Sequence, residues 1–331
     1  MKITFSVIIP LYNMAQYIER ALLSILHQTY QNFEIIVVDD GSNDEGEKIV
    51  DFITQKDSRI KLFKLNHNQG VSAARNIGIS QARGEVIAFL DADDEWEPQY
   101  LDMILLLRKD FPNCEGFASS YRFIESNGKV SNPKIYELDD QSFRGILRNY
   151  FLYSFQDAPI YTSSMTITKE ALHKLGGFPN GIKCGEDLDL FFRLYLDFQI
   201  AFINEKLVTI HKDAQNRSAN RDIRSDFLFT LNNLNKRINN SKLSINEKGN
   251  AIEYICAKKI MISRDILIRN RNIEARELLK ECKKTSIFKW KWIITFISTY
   301  IPQKLFFNLF RIRNNFRSRW KKNLNEIEGM K

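Results

Sequence analysis

Glu85-Val86-Ile87-Ala88-Phe89-Leu90-Asp91-Ala92-Asp93-Asp94 is a short apolar run that stops on three carboxylates. Val86 to Leu90 is rich in bulky and β-branched side chains and has the length of a fully buried strand. Asp91, Asp93 and Asp94 fall just past its carboxyl end, where ligands bind in open α/β sheets. Asp91 and Asp93 are two apart, so a locally extended backbone aims them the same way. Three acids so close repel one another unless something positive sits among them. A divalent cation held by oxygen, Mg2+ or Mn2+, answers that need. The alternative is a solvated acidic turn capping the helix that begins near Glu97-Pro98.

Upstream, strand and helix patterns alternate. Ser6 to Pro10, Phe33 to Val38 and Ile60 to Leu65 read as strands; Met14 to Gln28, Glu45 to Ile53 and Val71 to Ala82 carry helical spacing. Such alternation means successive right-handed βαβ units and a largely parallel sheet. Parallel strands present their carboxyl ends on one edge, so Tyr12, Asp39-Asp40, Asn66-His67 and the acidic run are expected to meet there. No G-x-G-x-x-G follows the first strand and no P-loop lysine motif occurs, which argues against a dinucleotide-binding dehydrogenase or a P-loop ATPase.

Downstream, Gly116 to Glu125 and Lys129 to Ile135 read as two strands around a hairpin at Asn127-Gly128. A helix is expected over 143–150 and another over Lys169 to Leu175, stopped by Gly176-Gly177. Glu186-Asp187 opens a helix running to Leu196, whose positive N-terminal end favours ionised acids. Ile200 to Ile203 and Leu207 to Ile210 are strand-like, with His211 directly after.

The bulk composition is that of an ordinary globule, 44% apolar and 27% charged over 331 residues. Four scattered cysteines without a C-x-x-C pair suit a reducing compartment. The net charge of +8 belongs to the tail. No acid occurs between Glu281 and Glu326, an interval with eleven Lys and Arg residues from Lys283 to Lys322. Trp290, Trp292, Phe296, Tyr300 and further aromatics to Trp320 are interleaved with them. Basic plus aromatic without acid describes a helix lying in an anionic membrane interface. Nucleic-acid binding lacks any accompanying module, and a dimer face is the third reading. No apolar run reaches the roughly 20 residues of a membrane span.

Six stretches together carry a family resemblance. They are Val7-Ile8-Ile9-Pro10-Leu11-Tyr12-Asn13, Val38-Asp39-Asp40-Gly41-Ser42-Asn43-Asp44, and Gly70-Val71-Ser72-Ala73-Ala74-Arg75-Asn76-Ile77-Gly78. Phe89-Leu90-Asp91-Ala92-Asp93-Asp94, Gly176-Gly177-Phe178 and Gly185-Glu186-Asp187-Leu188-Asp189-Leu190 complete the set. In this order the chain resembles an inverting family 2 glycosyltransferase of the bacterial surface-polysaccharide type, with the match covering about residues 4 to 215.

The resemblance implies a GT-A fold: α/β, Rossmann-like, with a mostly parallel central sheet flanked by helices. It implies a catalytic domain over 1–220, and the residue pattern beyond it reads as a helical C-terminal region over 221–331 that carries the membrane-associating tail. It further implies a nucleotide-diphosphate sugar donor, a UDP-sugar foremost with dTDP open, and a glycan or lipid-linked acceptor. Mn2+ or Mg2+ is the implied cofactor, and the implied location is cytoplasmic, at the inner face of the membrane.

Residue by residue, the resemblance assigns Asp187 as the base and Glu186 as its orienting neighbour. Asp93 is the direct metal ligand, which Asp94 replaces or assists and His211 completes. Asp91 and Ala92 lie toward the ribose, Asp40 accepts the uracil N–H, Pro10 and Tyr12 line the base pocket, and Arg75 lies near uracil or phosphate. Asp39 is assigned to the nucleotide or, alternatively, to the turn at Gly41-Ser42. The family often has an arginine where this chain has Ile210, a departure from the pattern that bears on the 211–218 loop. Two rival readings are a non-catalytic nucleotide-sugar-binding scaffold and a nucleotidyltransferase. The complete Asp91/Asp93 and Glu186/Asp187 sets argue against the first. The missing Gly-rich basic loop argues against the second.

Overall fold

The computed structural model describes residues 4–138, 140–214, 224–269 and 271–301. The chain begins with β1 (Phe5–Leu11), α1 (Ala15–Leu26), β2 (Phe33–Asp39), α2 (Gly46–Thr54), β3 (Ile60–Lys64), α3 (Val71–Gln81) and β4 (Val86–Phe89). These follow the alternation read from the sequence. The four strands are parallel in the order β3-β2-β1-β4, so their carboxyl ends share one edge. β2 and β4 flank β1, which puts the reversal of strand order beside β1, the usual ligand crevice of such sheets.

Pro10 helps to open that crevice. The Leu90 N–H donates to the Ile8 carbonyl at 3.1 Å. Two residues on, Pro10 has no N–H to offer, and the β1–β4 ladder has ended.

β5 (Glu95–Trp96), α4 (Tyr100–Asp110), β6 (Gly116–Ile124), β7 (Val130–Ser131), β8 (Arg144–Ile146), α5 (Tyr150–Tyr153), β9 (Met165–Thr168), α6 (Lys169–Leu175), α7 (Glu186–Asp197) and β10 (Ile200–His211) follow. They continue the sheet as β4-β9-β6-β10-β5, with β7 on β6 and β8 on β10. β9 runs antiparallel between β4 and β6, so the sheet is mixed on this side.

Three sequence expectations change here. The helix expected over 143–150 is replaced by β8, which pairs antiparallel with β10, and only Tyr150–Tyr153 is helical. Its apolar positions suit a helix, but edge pairing to Ala201–Ile203 wins, aided by helix-weak Gly145. The second hairpin strand shrinks to Val130–Ser131, since Pro133 cannot donate to the ladder. The two strand pieces around 200–210 are one strand, β10, with a register shift between Ile203 and Lys206.

α8 (Arg224–Asn240), α9 (Ile245–Ile268), α10 (Asn272–Lys280) and α11 (Lys289–Ser298) complete the described chain as a helical C-terminal region. Contacts divide it into compact units of residues 1–248 and 249–331. In the first unit, α8 lies against α7, where the Thr230 hydroxyl donates to the Gly185 carbonyl at 3.3 Å. No helix among the described residues is long and apolar enough to cross a membrane.

α3 lies tightly on β1. A Cβ at Gly78 would stand 2.5 Å from Cγ2 of Ile8, a fully buried side chain of β1. Helix propensity alone predicts that Gly78→Ala gains about 1 kcal/mol. The contact reverses the sign, and the variant is expected to lose about 1–3 kcal/mol in urea unfolding. Gly78→Ala with Ile8→Val should recover part of the loss; a stabilised single variant would contradict this packing.

Candidate active site

The loops after β1 and β2 are stitched together by their own polar side chains. Asp39 Oδ1 accepts the Ser42 N–H at 3.1 Å and the Ser42 hydroxyl. Ser42 Oγ in turn accepts the Asn13 N–H at 3.0 Å. Asn13 Oδ1 accepts the Asn43 N–H at 2.8 Å, and Asp44 Oδ2 accepts the Ala15 N–H at 2.8 Å. Asp44 thus caps α1 from the neighbouring loop, since the α1 N-cap residue, Met14, makes no side-chain cap. Asp39 therefore serves the turn at Gly41-Ser42. Asp40 reaches across to the next loop, where its two oxygens accept the Gln69 and Gly70 N–H groups at 2.7 and 2.8 Å. Burial pushes its carboxyl above the usual range against those two bonds. Each of its oxygens keeps a second lone pair for a further donor. Pro10 and Tyr12, at the end of β1, are half-buried.

The centre of the edge is Arg75. Its guanidinium is 3% exposed on α3 and bridges two elements far apart in sequence. Nη2 donates to Asp91 Oδ1 at 2.7 Å, beyond the end of β4, and Nη1 donates to Glu186 Oε1 at 3.2 Å, at the start of α7. The guanidinium carbon lies 5.0 Å from the ring centroid of Phe178, which packs edge-on against Phe89 of β4 at 5.2 Å. Asn76, the next residue on α3, fixes that ring by exchanging two hydrogen bonds with the Phe178 backbone, each 2.8 Å. The turn before Phe178 needs glycine. Gly177 has φ +72°, and a Cβ there would stand 2.5 Å from Asn76 Oδ1. Arg193 of α7 donates to the Leu175 and Gly177 carbonyls, tying this turn to the helix with the acid pair.

Asp187 sits beside this clasp. Its Oδ2 accepts the Thr162 hydroxyl at 3.2 Å and its Oδ1 the Leu188 N–H at 2.7 Å. Burial pushes both Glu186 and Asp187 above the ordinary carboxyl range. The Asp187 charge raises Glu186 further, and the Asp91 charge raises Asp187. Arg75 pulls both down without cancelling the rise. Three carboxylates therefore share one guanidinium, and the site accepts protons or positive charge readily.

The acidic run itself splits into different roles. Asp94 is fully buried; its Oδ2 accepts the Ser163 hydroxyl at 2.6 Å and its Oδ1 the His211 backbone N–H at 3.2 Å. Both oxygens are engaged with protein donors, which makes Asp94 a brace for the loop. Ser163 Oγ also accepts the Asp91 N–H at 3.2 Å, and the Arg20 guanidinium donates to the Asp93 carbonyl. Ala92 is buried in the core beneath. The bond from Asp94 brings His211, at the end of β10, to the same loop, and its Nε2 lies 3.0 Å from Glu95 Oε1.

No group of three or more His, Cys, Asp or Glu side chains able to hold a metal occurs among the described residues. A cage made by protein alone is therefore not available there. Asp93 with His211 fits the other mode, in which a hard cation takes one or two protein ligands and completes its shell with water and substrate phosphate.

Reading the sequence missed Thr162, Ser163, Arg20 and Asn76. Asn76 and Phe178 lay within quoted stretches, but nothing marked the short turn Thr162–Ser164 as a partner of two acidic segments. Elsewhere a recess of about 600 Å3, lined in part by Ser120, Asn204, Lys206 and Tyr136, contains none of the predicted site residues. Ala88, Thr166 and Phe117 form one row across β4, β9 and β6. Ser120 of β6 is three residues past Phe117, as Asp91 is past Ala88.

Comparison with known proteins agrees with this architecture. Over 89 residues the chain is 51% identical to an uncharacterized glycosyltransferase of Haemophilus influenzae, an alignment covering 27% of this chain and 36% of that protein. It is 35% identical over 189 residues to an uncharacterized glycosyltransferase of Rickettsia bellii, covering 57% of this chain and 26% of that one. The chain thus spans only about a quarter to a third of these relatives' own length. Staphylococcus aureus TarS 1-349, crystallised in complex with UDP-GlcNAc, superposes with a TM-score of 0.72 at 20% identity, covering 90% of this chain and 89% of that one. At that identity the likeness is one of fold, and with the sheet order above it makes this a GT-A fold. The model for Glycosyl transferase family 2 matches residues 6–176, more than half of the chain, and the chain belongs to that family.

Proposed function

We propose that the chain transfers a sugar from a nucleotide-diphosphate sugar to a hydroxyl group of a glycan or lipid-linked acceptor, with inversion at the anomeric carbon. The observation that carries this reading is the Arg75 clasp. It brings the acid at the end of β4 and the acid pair at the start of α7 to the single edge where β1 to β4 end. A uridine donor is supported by the UDP-GlcNAc named for TarS and by Asp40, whose spare lone pairs suit an imide N–H. Tyr12 and Pro10, half-buried beside it, supply the flat and apolar surface a pyrimidine stacks on.

Asp187 takes the acceptor proton. Its oxygens are oriented by Thr162 and the Leu188 N–H, and a carboxyl raised by burial is a better proton acceptor near neutral pH. As the O–H bond breaks, the acceptor oxygen forms its bond to the anomeric carbon, and the bond to the diphosphate breaks on the opposite face. Glu186, held by Arg75, fixes the start of α7 and thereby the position of Asp187. Asp93 and His211 are the residues that would hold Mn2+ or Mg2+, which when bound supplies positive charge to the departing diphosphate.

Asp187→Asn should lower transfer by about a hundredfold or more while changing donor affinity by no more than about threefold. It should also melt higher than the parent at alkaline pH. A carboxyl whose folded pKa is raised destabilises the fold above that pKa, and the penalty vanishes as pH falls through it. The gap in melting temperature should therefore close on acidification. Loss of donor binding together with a lower melting point would make Asp187 a structural residue and defeat the assignment.

The two aspartates of the acidic loop separate in a thermal-shift screen with UDP-sugars, with and without Mn2+. Asp93→Ala should abolish the part of the donor-induced shift that depends on Mn2+. Asp94→Ala should lower the unliganded melting point, because Ser163 and the His211 N–H lose their acceptor. A Mn2+ response in Asp93→Ala equal to that of the parent would remove Asp93 as a ligand.

A further inference from the structure

α11, in the unit of residues 249–331, carries its side chains inside out. The face packed against that unit is built largely from small polar groups. Thr295 and Thr299 are buried, and their hydroxyls accept from Arg264 Nε at 2.9 Å and Arg276 Nε at 3.1 Å. Trp292 Nε1 donates to the Leu279 carbonyl at 2.7 Å on the same side. Trp292 and Phe296 are half-buried, but other large apolar side chains point the other way. Trp290 is 76% exposed, Ile294 55% and Ile297 56%, with Ile287 just before the helix at 53%.

At about 100° per residue, Trp290, Ile294 and Ile297 cluster roughly 180° from Phe288, Thr295 and Thr299. The same rotation puts exposed Lys289 and Lys291 on the two flanks of the apolar stripe. An ordinary helix of a globular unit would turn Trp and Ile inward and leave Thr outside. Here the polar anchors hold the helix in place and leave its apolar face exposed among the described residues.

We propose that this face of α11 docks on an anionic lipid bilayer, lying in the plane of the interface. Charge complementarity selects that occupant. From Glu281 to Glu326 the sequence has no acid and eleven basic residues, each worth about 1 kcal/mol near an anionic membrane surface. The stripe has the interfacial design, with a tryptophan and two isoleucines to enter the headgroup boundary and lysines on either side to meet lipid phosphate. A second copy of the chain would set basic flank against basic flank. No helix among the described residues is long and apolar enough to cross a membrane, and the docking proposed for α11 is in the plane of the interface. The inference is independent of the transfer chemistry and survives or fails without it. Expected aromatic and basic contributions from residues 302–331 lie outside the described residues.

The test is co-sedimentation of the full chain with vesicles of phosphatidylcholine alone, or of phosphatidylcholine containing about a third phosphatidylglycerol. Binding should be at least about tenfold tighter to the anionic vesicles and should weaken with salt. Trp290→Ser with Ile294→Ser and Ile297→Ser should weaken binding at least about tenfold without lowering the melting temperature, since all three side chains are exposed. Phe52→Ser, at an apolar position on α2 that is 58% exposed, should leave binding unchanged. Binding of the triple variant equal to that of the parent, or no binding to either vesicle, would overturn the proposal. So would a parent dimer that the triple variant splits in light scattering while vesicle binding is unaffected.

Discussion

One buried guanidinium holds the site together. Arg75 is almost without solvent contact, and both of its terminal nitrogens are spent on carboxylates from distant parts of the chain. Burying an arginine is expensive, and only close, well-placed acids offset that cost. The three acids around it, Asp91, Glu186 and Asp187, have the converse difficulty. They crowd one another, and Arg75 is the cation that pairs with Glu186. Each side is tolerable because of the other. The consequence is geometric: α3, the end of β4 and the start of α7 have one compatible arrangement, with Phe178 packed beneath the charge.

The acids at this edge fall into two classes by their partners. Asp39 accepts a backbone N–H of its own turn, and Asp40, Asp44 and Asp94 accept backbone N–H groups of other segments. They replace missing secondary structure where the strands have ended, and each closes a turn. Glu186, Asp187 and Asp91 answer mainly to one cation, with fewer backbone donors. Burial raises the carboxyls of Glu186 and Asp187, so a proton or an incoming positive charge relieves that pair. The first class gives the edge its rigidity. The second gives it chemistry, because a preorganised site needs both a stiff frame and groups that are not fully satisfied by it.

Much of this was legible from residue order alone, for physical reasons. β1 to β4 and the helices between them are long, periodic and punctuated by Gly and Asp, so propensity and tertiary context agree. Residues 143–150 misled because the apolar spacing fits a helix while the edge of β10 offered strand pairing. Asp94 looked equivalent to Asp93 because a one-residue offset carries no sign of which carboxylate meets Ser163. The Thr162–Ser164 turn was invisible for the same reason. Its value lies in contacts across about 70 residues to the acidic loop and about 25 to Asp187, which no local pattern encodes. Arg75 was seen as near the nucleotide or phosphate. Its role as a clasp between Asp91 and Glu186 needed coordinates.

The most direct test is a double-mutant cycle between Arg75 and Glu186, read by urea unfolding at neutral pH. Arg75→Gln, Glu186→Gln and the double variant close the cycle. If the guanidinium is what joins the two halves of the site, the coupling energy should be about 2 kcal/mol or more, with the double variant more stable than the sum of the single losses implies. Losses that add to within about 0.5 kcal/mol would mean the two side chains do not depend on each other, and the account of the site would fail.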